Sequence, residues 1–454
     1  MRQSGRSIFV SVRKRSRFCK NAALRTPTAA LLCAVRKHFD VLQAAPAPQT
    51  NRKGPLMEEK KQEAAAGTRR GSDMSKIEQI RRRRHEKRMR TAALLVLVLA
   101  AVLAYLGGLF APSINFLSEM LDTAKSAMFP GEGWPLRNDT QNLLRAEGLV
   151  GGAALLDQSD LVLYSPTAKE LRRVPHGYAD PALAMGNARV CIYNRGGKEL
   201  KVESRSRNLL DKTYDYPILA VGMSEGGAMA VATKSERYLS EIIVYDASFN
   251  ESYYCYLADD YPISLHFASD GKRFAAACMQ VSGGDFGTKL RFYDIREENQ
   301  VAEVSLPGAV VLDARYMDTK TILVASDRFV ATYDCTTGEE RARYDYGGQT
   351  LLALDLTRKN IALVFGDEKR VAINRCTVVD SAMQPVCNVA LGYSVKDVLL
   401  TNETLYVLNE AAVHEYDLLG VQQQQYDLET KGSVLIDAKH PLVVTAKEIL
   451  QLIE

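Results

Sequence analysis

Short apolar runs separated by turn residues fill the C-terminal two thirds of the chain and predict β-strands. From about Gln141 onward the runs are four to eight residues long, and no helical spacing continues beyond one turn. The stretch "ISLHFASDGKRFAAACMQ", residues 263–280, indicates a strand, an Asp-Gly turn and a second strand, because Asp-Gly accepts the backbone angles of a tight hairpin. "RFYDI" and "VAEVSL" then supply two further strands.

This four-strand unit recurs about every forty residues, the length of one blade of a β-propeller. First strands are predicted near Gly151, Pro181, Pro217, Ile263, Val310, Leu351, Val395 and Gly432. Third strands are predicted at 243–248, 291–296, 331–336, 371–376 and 414–419, and four of them carry Tyr-Asp, at Tyr245-Asp246, Tyr293-Asp294, Tyr333-Asp334 and Tyr416-Asp417. The sequence therefore predicts an all-β β-propeller. Eight blades are favoured, and seven are the alternative because the first copy is short.

Burial and closure of the ring follow from the same pattern. Inner strands such as "TILVAS" and "IALVF" are apolar throughout, which indicates burial on both faces, whereas "GVQQQQYDL", residues 420–428, is typical of a solvated outer strand. The last copy ends without an outer strand. We expect the segment Asn142–Gly148 to complete that blade and to close the ring.

The blade pattern resembles WD40-like, YVTN-like and quinoprotein-like propellers, through "LHFASDGK" and "RFYDI". It lacks the Gly-His and Trp-Asp pairs of true WD40 repeats, and no blade contains a tryptophan, so the resemblance implies no quinone cofactor. The layout of residues 75–454 also resembles a family of single-pass envelope proteins of low-GC Gram-positive bacteria, a domain of unknown function. That resemblance implies no catalytic residues.

An uncharged segment precedes the repeats. Thr91–Phe110, "TAALLVLVLAAVLAYLGGLF", is twenty residues long, enough for a helix to cross the hydrocarbon core of a bilayer. We therefore predict a transmembrane helix at 91–111. Upstream, "RRRRHEKRMR" is expected to stay cytoplasmic by the positive-inside rule and to contact anionic inner-leaflet lipids. The basic residues are Arg81, Arg82, Arg83, Arg84, Lys87, Arg88 and Arg90.

The remaining boundaries follow from this anchor. Residues 1–73 are predicted to be disordered, and the true start is Met1, Met57 or Met74, with a late start favoured. Residues 74–90 are predicted to form a basic cytoplasmic helix, residues 112–140 a stalk helix and linker, and residues 141–454 an extracytoplasmic propeller. The expected location is the cell membrane, single-pass, with the N-terminus in the cytoplasm and the C-terminal domain outside.

Charge separates the two parts of the chain. Residues 1–111 contain 24 Lys and Arg against 7 Asp and Glu, a net +17, and residues 112–454 contain 34 against 47, a net −13. The acidic C-terminal part argues against nucleic acid and other polyanions as partners. The expected partner is an envelope protein or a glycan, whose identity the sequence leaves open.

Candidate chemistry is sparse. His176, His266, His414 and His440 fall in different blades. His266 is on an inner strand and faces either the channel or the layer between blades, and a structural role is favoured for it. Asp259-Asp260 is either a calcium site or, as we favour, a solvated loop. The Gly-rich "VSGGDFGTK", residues 281–289, is expected to be a long loop that lines one mouth of the ring or a flexible hairpin.

Six cysteines follow the predicted anchor. Cys376 and Cys387 flank one predicted hairpin and could pair, although buried free thiols are favoured for all six. We predict no catalytic, cofactor-binding or metal-ligating residues. The predicted function is a non-enzymatic binding platform at the cell envelope. The alternatives are a hydrolase or lyase with its site in the channel, and an envelope sensor.

Overall fold

The computed structural model describes residues 130–140, 142–282, 284–367 and 369–452. They form eight four-stranded antiparallel sheets, together with one 3-10 turn at Val371–Ile373. Each sheet is a blade, and the contacts between neighbouring blades run through their first strands, including those between the eighth and first blades. The blades therefore close into a ring, and the prediction of an all-β propeller with eight blades is confirmed.

The strands of a blade are ordered from the centre of the ring outward. The first strands are β2 (Arg145–Leu149), β6 (Pro181–Met185), β10 (Ile218–Met223), β14 (Tyr261–Phe267), β18 (Val311–Tyr316), β22 (Leu351–Leu356), β26 (Asp397–Leu400) and β30 (Gly432–Ile436). The second strands are β3 (Gly152–Leu156), β7 (Arg189–Asn194), β11 (Met229–Lys234), β15 (Arg273–Ser282), β19 (Thr321–Ser326), β23 (Asn360–Phe365), β27 (Thr404–Leu408) and β31 (Leu442–Thr445).

The two outer strands complete each blade. The third strands are β4 (Asp160–Tyr164), β8 (Glu199–Ser204), β12 (Ser240–Tyr245), β16 (Asp285–Asp294), β20 (Phe329–Asp334), β24 (Arg375–Asp380), β28 (Ala412–Asp417) and β32 (Glu448–Gln451). The fourth strands are β5 (Glu170–Pro175), β9 (Asn208–Thr213), β13 (Glu251–Leu257), β17 (Ala302–Leu306), β21 (Glu340–Asp345), β25 (Pro385–Ala390), β29 (Gln422–Asp427) and, for blade 8, β1 (Leu136–Arg137).

Burial follows the predicted gradient from the second strand outward. Every residue of β3 and β19 is buried, whereas five of the six residues of β29 are exposed. The cause is the radial arrangement, because each blade covers the apolar faces of both neighbours. Between blades 3 and 4, for example, Tyr253 meets Phe274 edge-on with ring centroids 6.2 Å apart.

The recurring Tyr-Asp pair has a structural role. Tyr245, Tyr293, Tyr333 and Tyr416 are buried near the ends of third strands. The following aspartate accepts hydrogen bonds from the turn after it, as when the N–H groups of Ser248 and Asn250 donate to Asp246 Oδ1 at 2.8 and 2.9 Å. Such a side chain replaces a backbone acceptor and fixes a tight turn. The same bonds are made by Asp294, Asp334, Asp380 and Asp417, and by the hydroxyls of Ser165 and Ser204.

Three strand predictions were wrong. The first strand of blade 1 is β2, and the segment near Gly151 begins the second strand. In blade 6 the first half of the segment 371–376 is the 3-10 turn, and the third strand is β24, whose end carries Val379-Asp380 in place of Tyr-Asp. The closing strand is Leu136–Arg137, paired with Ile449 and Glu448, because the predicted segment Asn142–Gly148 is largely taken up by β2.

The closing segment lies within residues that the sequence had assigned to a linker. The Trp134 indole N–H donates to the Pro166 carbonyl at 3.1 Å, and its ring meets Tyr164 edge-on at 6.4 Å. Residues 130–137 are thus held against blades 1 and 8. The predicted tail (1–73), basic helix (74–90), transmembrane helix (91–111) and stalk helix lie outside the described residues. No helix among the described residues is long and apolar enough to span a membrane.

Candidate functional site

The two faces of the ring differ in what they present. Turns between first and second strands and between third and fourth strands lie on one face, where the chain also approaches β1. We call this the N-terminal face. Turns between second and third strands and the connections between blades lie on the opposite side, the hairpin face. Three regions of the ring are candidate sites, namely the central channel, a groove between blades 4 and 5, and the hairpin face.

The channel is lined by first strands and contains His266. Its Nε2 lies 2.9 Å from the hydroxyl of Ser264. Burial lowers the pKa of His266, and the nearby Asp313 carboxylate opposes that shift. This histidine therefore lies on the inner wall of the ring beside a carboxylate.

Carboxylates of the inner strands link successive blades. The Leu400 N–H of blade 7 donates to Asp355 Oδ2 at 2.7 Å, and the Leu435 N–H of blade 8 donates to Asp397 Oδ2 at 2.8 Å. Burial raises the pKa of Asp355 to about 6, although the Leu400 hydrogen bond and the Arg315 guanidinium lower it. Burial also raises the pKa of Asp397. These side chains have identified structural partners.

The other predicted site residues are dispersed or paired. His176 Nε2 lies 3.1 Å from the Asp157 carbonyl, His414 contacts Asn409, and His440 is exposed. Asp260 is buried and ion-paired with Lys289 (Nζ to Oδ1, 3.2 Å) and with Arg291, while Asp259 is exposed. Two cationic side chains thus neutralise Asp260. The described residues contain no group of three or more His, Cys, Asp or Glu side chains placed to hold a metal.

None of the described cysteines offers an exposed thiol. All six in the described residues are free and buried, so the Cys376–Cys387 disulfide is absent and the favoured prediction of buried thiols is confirmed. In the sheet, Cys376 lies opposite Val389, and Cys387 lies opposite Val378, so the two are not a cross-strand pair. Burial raises the pKa of Cys376 to about 12. Since the thiolate is the nucleophile, such a group is inert at neutral pH.

A groove of about 590 Å³ lies between blades 4 and 5, with Tyr316 and Cys335 among its lining residues and Glu297 in the turn beside it. Arg273, a cationic residue of the groove, is ion-paired with Asp270 at 3.0 Å and with Asp294 at 3.3 Å. The groove therefore offers no unneutralised cation for an anionic ligand.

The third region contains the Gly-rich stretch that the sequence singled out. It is a hairpin rather than a loop, because β15 and β16 each extend to ten residues and pair as far as Val281 with Phe286 and Ser282 with Asp285. On β15, pairing with the first strand of the blade ends at Met279. On β16, pairing with the fourth strand ends at Thr288. The end of the hairpin, which we call the hairpin tip (residues 280–282 and 284–287), therefore extends beyond the paired part of blade 4, although Gly287 still lies against Leu306 and Gly308.

Large apolar side chains are exposed on this tip and beside it. Val281 and Phe286 are each 62% exposed, Met279 is 44% exposed, and Val310 and Leu312, at the start of blade 5, are 38% and 53% exposed. The N–H of Val311 donates to the Thr288 hydroxyl at 3.0 Å, which holds the start of blade 5 against the base of the hairpin. We call these five side chains the hairpin patch.

The sequence could have shown this surface in part. The segments 273–282 and 285–294 flank Gly283-Gly284 with ten residues each, and two strand-like segments joined by Gly-Gly predict a long hairpin. Exposure of its apolar residues could not be read from the sequence. An apolar pair at a strand end is normally assigned to the core, and only the lengths of the neighbouring strands place Val281 and Phe286 outside it.

The ring geometry defines the chain as an eight-bladed β-propeller, and comparison with solved structures agrees on the fold. It is similar to the computationally designed protein Ika8, with a TM-score of 0.53 at 10% identity over 70% of this chain and 98% of Ika8. It is also similar to the C-terminal WD40 domain of Sif2, with a TM-score of 0.52 at 12% identity over 72% of this chain and 100% of that domain. These identities support the fold alone.

Sequence comparison identifies the family. No curated protein matches the chain. Residues 145–454, which begin with β2 and include all of the ring except its closing strand, match the "Family of unknown function (DUF5711)". The chain belongs to this family.

Proposed function

We propose that the protein is a membrane-anchored β-propeller whose ring lies outside the cytoplasmic membrane and binds another envelope component without performing chemistry. The hairpin patch is the observation that carries this proposal. Monomeric soluble proteins seldom leave adjoining large apolar side chains on a protruding element, and such surfaces commonly mark interaction sites. Protein binding is also a use to which propeller folds are suited, because the ring presents rigid turns on two broad faces.

The anchoring is supported by the sequence of the N-terminal part. The uncharged segment 91–111 follows seven Lys and Arg within residues 81–90, which favours a cytoplasmic N-terminus and contact with anionic inner-leaflet lipids. We extend to this chain the single-pass topology and Gram-positive envelope location that its layout resembles. A C-terminal alkaline phosphatase fusion tests the topology. High phosphatase activity in cells is expected, and an inactive fusion at normal expression would rule out an external ring.

The platform proposal is tested by chemical crosslinking of the full chain in intact cells, followed by mass spectrometry of the captured material. One envelope protein recovered reproducibly, and absent from cells lacking the chain, is the expected result. Recovery of a glycan alone would move the assignment to carbohydrate binding. If neither is captured, the platform proposal fails.

The second candidate is a hydrolase or lyase with its site in the channel. It is favoured by one observation, the position of His266 beside Asp313 together with the raised pKa of Asp355. Such pairs are found at acid–base sites, although structural networks shift pKa values as well. A substrate screen of the purified full chain tests it. An activity lost in both His266→Ala and Asp355→Asn, with unfolding temperatures preserved, would establish catalysis.

A further inference from the structure

We propose that the hairpin tip is a knob that inserts into an apolar groove of a partner protein. This inference rests on the proposed function, and it names the docking element and the kind of surface that receives it. The residues placed to enter the groove are Val281 and Phe286, with Met279, Val310 and Leu312 around the base.

The register places these side chains on one side of the hairpin. Val281 and Phe286 are direct cross-strand partners, as are Met279 and Thr288. Residues two apart on a strand share a face, so Met279 lies with Val281 and Thr288 lies with Phe286. The Thr288 hydroxyl accepts the hydrogen bond from the Val311 N–H of blade 5. The apolar side of the tip therefore faces the same direction as the start of blade 5.

The tip is long enough to act as a knob. The second strands of blades 3 and 5 have six residues, and β15 has ten. Three residues of β15 beyond Met279, at about 3.3 Å each, extend the hairpin by about 10 Å. Residues 280–282 and 285–287 pair with each other and with no other strand. A convex element of this kind fits into a groove, whereas small ligands need a concave site on the protein itself.

Charge disfavours a polyanionic partner. Three basic side chains near the patch are paired with carboxylates, Lys289 at 3.2 Å and Arg291 with Asp260, and Arg328 with Asp327 at 4.0 Å. These groups create no cationic surface, which a nucleic acid or an anionic polymer would require. An uncharged apolar groove is the complement that this surface calls for.

The same charge pairs disfavour an anionic lipid surface. An apolar element that binds such a surface is normally accompanied by unpaired Lys and Arg side chains. The basic side chains near the hairpin patch, Lys289, Arg291 and Arg328, are paired with Asp260 and Asp327 instead.

The test is site-specific photocrosslinking of the full chain in its own cells. A benzophenone amino acid is placed at Phe286 in one strain and, as the matched control, at Leu419, which is 85% exposed on the N-terminal face. The expected result is one protein adduct from position 286, reduced at least about tenfold at position 419, with crosslinked partner residues that line an apolar groove. A lipid adduct at 286, or equal adducts at both positions, would overturn the proposal.

A substitution beside the probe tests whether the apolar side of the hairpin tip is needed for the adduct. Val281→Asp should reduce the 286 adduct about tenfold or more, as expected for a residue central to an interface, whereas Leu419→Asp should leave it unchanged. Both side chains are exposed, so neither change should shift the unfolding temperature by more than a few degrees. If chemical crosslinking of the unaltered chain captures a partner that Val281→Asp also binds normally, insertion of the hairpin tip is ruled out. The proposed binding function of the ring is then retained. If the unaltered chain captures nothing, the proposed function itself fails.

Discussion

Blades 3 and 6 occupy the same kind of position in the ring but join their neighbours in different ways. The first strand of blade 3, "ILAVGM", has no charged residue, and Gly222 within it lies so close to the backbone of Leu265 in blade 4 that a Cβ would overlap it. In blade 6 the Asp355 carboxylate instead accepts the N–H of Leu400 in blade 7. One joint depends on close apolar packing and the other on a buried hydrogen bond.

These two joints show that no single repeated residue specifies the centre of the ring. Each neighbouring pair of blades satisfies its backbone and its apolar faces with the side chains available, so the inner strands diverge while the turns beyond the third strands retain Tyr-Asp. Where a position must satisfy only local geometry, as in those turns, the same residue recurs. Where it must fit one particular neighbour, residues differ from blade to blade.

The apolar joint should be the more sensitive of the two. Gly222→Ala forces its new methyl group against the Leu265 carbonyl, and we expect a loss of about 1–3 kcal/mol in the free energy of unfolding. Gly226→Ala is the matched control, because no atom lies within 4 Å of a Cβ there. Denaturant unfolding of both variants measures the effect. Equal stability of the two would show that blade 3 is not closely packed on blade 4.

The equivalent hydrogen-bonded joint between blades 7 and 8, made by Asp397, should tolerate the loss of its charge better than the loss of its acceptor. Asp397→Ala leaves the Leu435 N–H of blade 8 without a partner, and we expect it to cost about 1–2 kcal/mol. Asp397→Asn retains an acceptor and should cost less. Asp259→Ala, in an exposed loop, should stay within about 0.5 kcal/mol of the unaltered chain. The same unfolding measurement would contradict this if Ala and Asn were equivalent at position 397.

The smallest expected effect is a dependence on pH at Asp355. Its pKa is raised from 3.8 to about 6, so between these values the folded chain holds a proton that the unfolded chain has released. The contribution of this carboxyl to stability therefore falls as pH rises through that window. Asp355→Asn removes the fall, and its stability relative to the unaltered chain should rise by about 1 kcal/mol from pH 4 to pH 6.5, a value reduced for partial solvation.

The lowered pKa of His266 acts in the opposite direction, because the unfolded chain then binds more protons than the folded chain. His266 is present in both proteins, so its contribution largely cancels when their stabilities are subtracted. Unfolding temperatures of both proteins, measured in steps across the window, provide the test. A difference that stays constant with pH would mean that Asp355 titrates in the folded ring as it does in the unfolded chain.

Most of the fold could be predicted because local turn chemistry repeats. Asp246, Asp294, Asp334 and Asp417 marked four blades correctly. Blade 6 was misplaced because Val379 stands where tyrosine was expected, although Asp380 makes the same turn. Pairing over long sequence distances could not be predicted, since nothing local distinguishes a two-residue strand at Leu136–Arg137 from a linker.

The candidate site was predictable only as a location. The stretch 281–289 stood out for its glycines, yet its importance lies in the exposure of Val281 and Phe286, which depends on where β14 and β17 end. His266 was correctly given an inner strand, but the sequence left open whether it faces the channel or the layer between blades. Its neighbour Asp313 comes from the next blade, and no pattern within blade 4 indicates that contact.

The segment that closes the ring is also the segment through which the chain leaves it. Mechanical load applied upstream of Pro130 would therefore reach the ring first at Gly131, whose N–H is bonded to the Thr167 hydroxyl, then at Trp134, and last at the two residues of β1. A pull along β1 would load its pairs with β32 in shear, which shares the force between them. Only two such pairs exist, so this seam has fewer strand pairs to resist tension than any other pairing among the described strands.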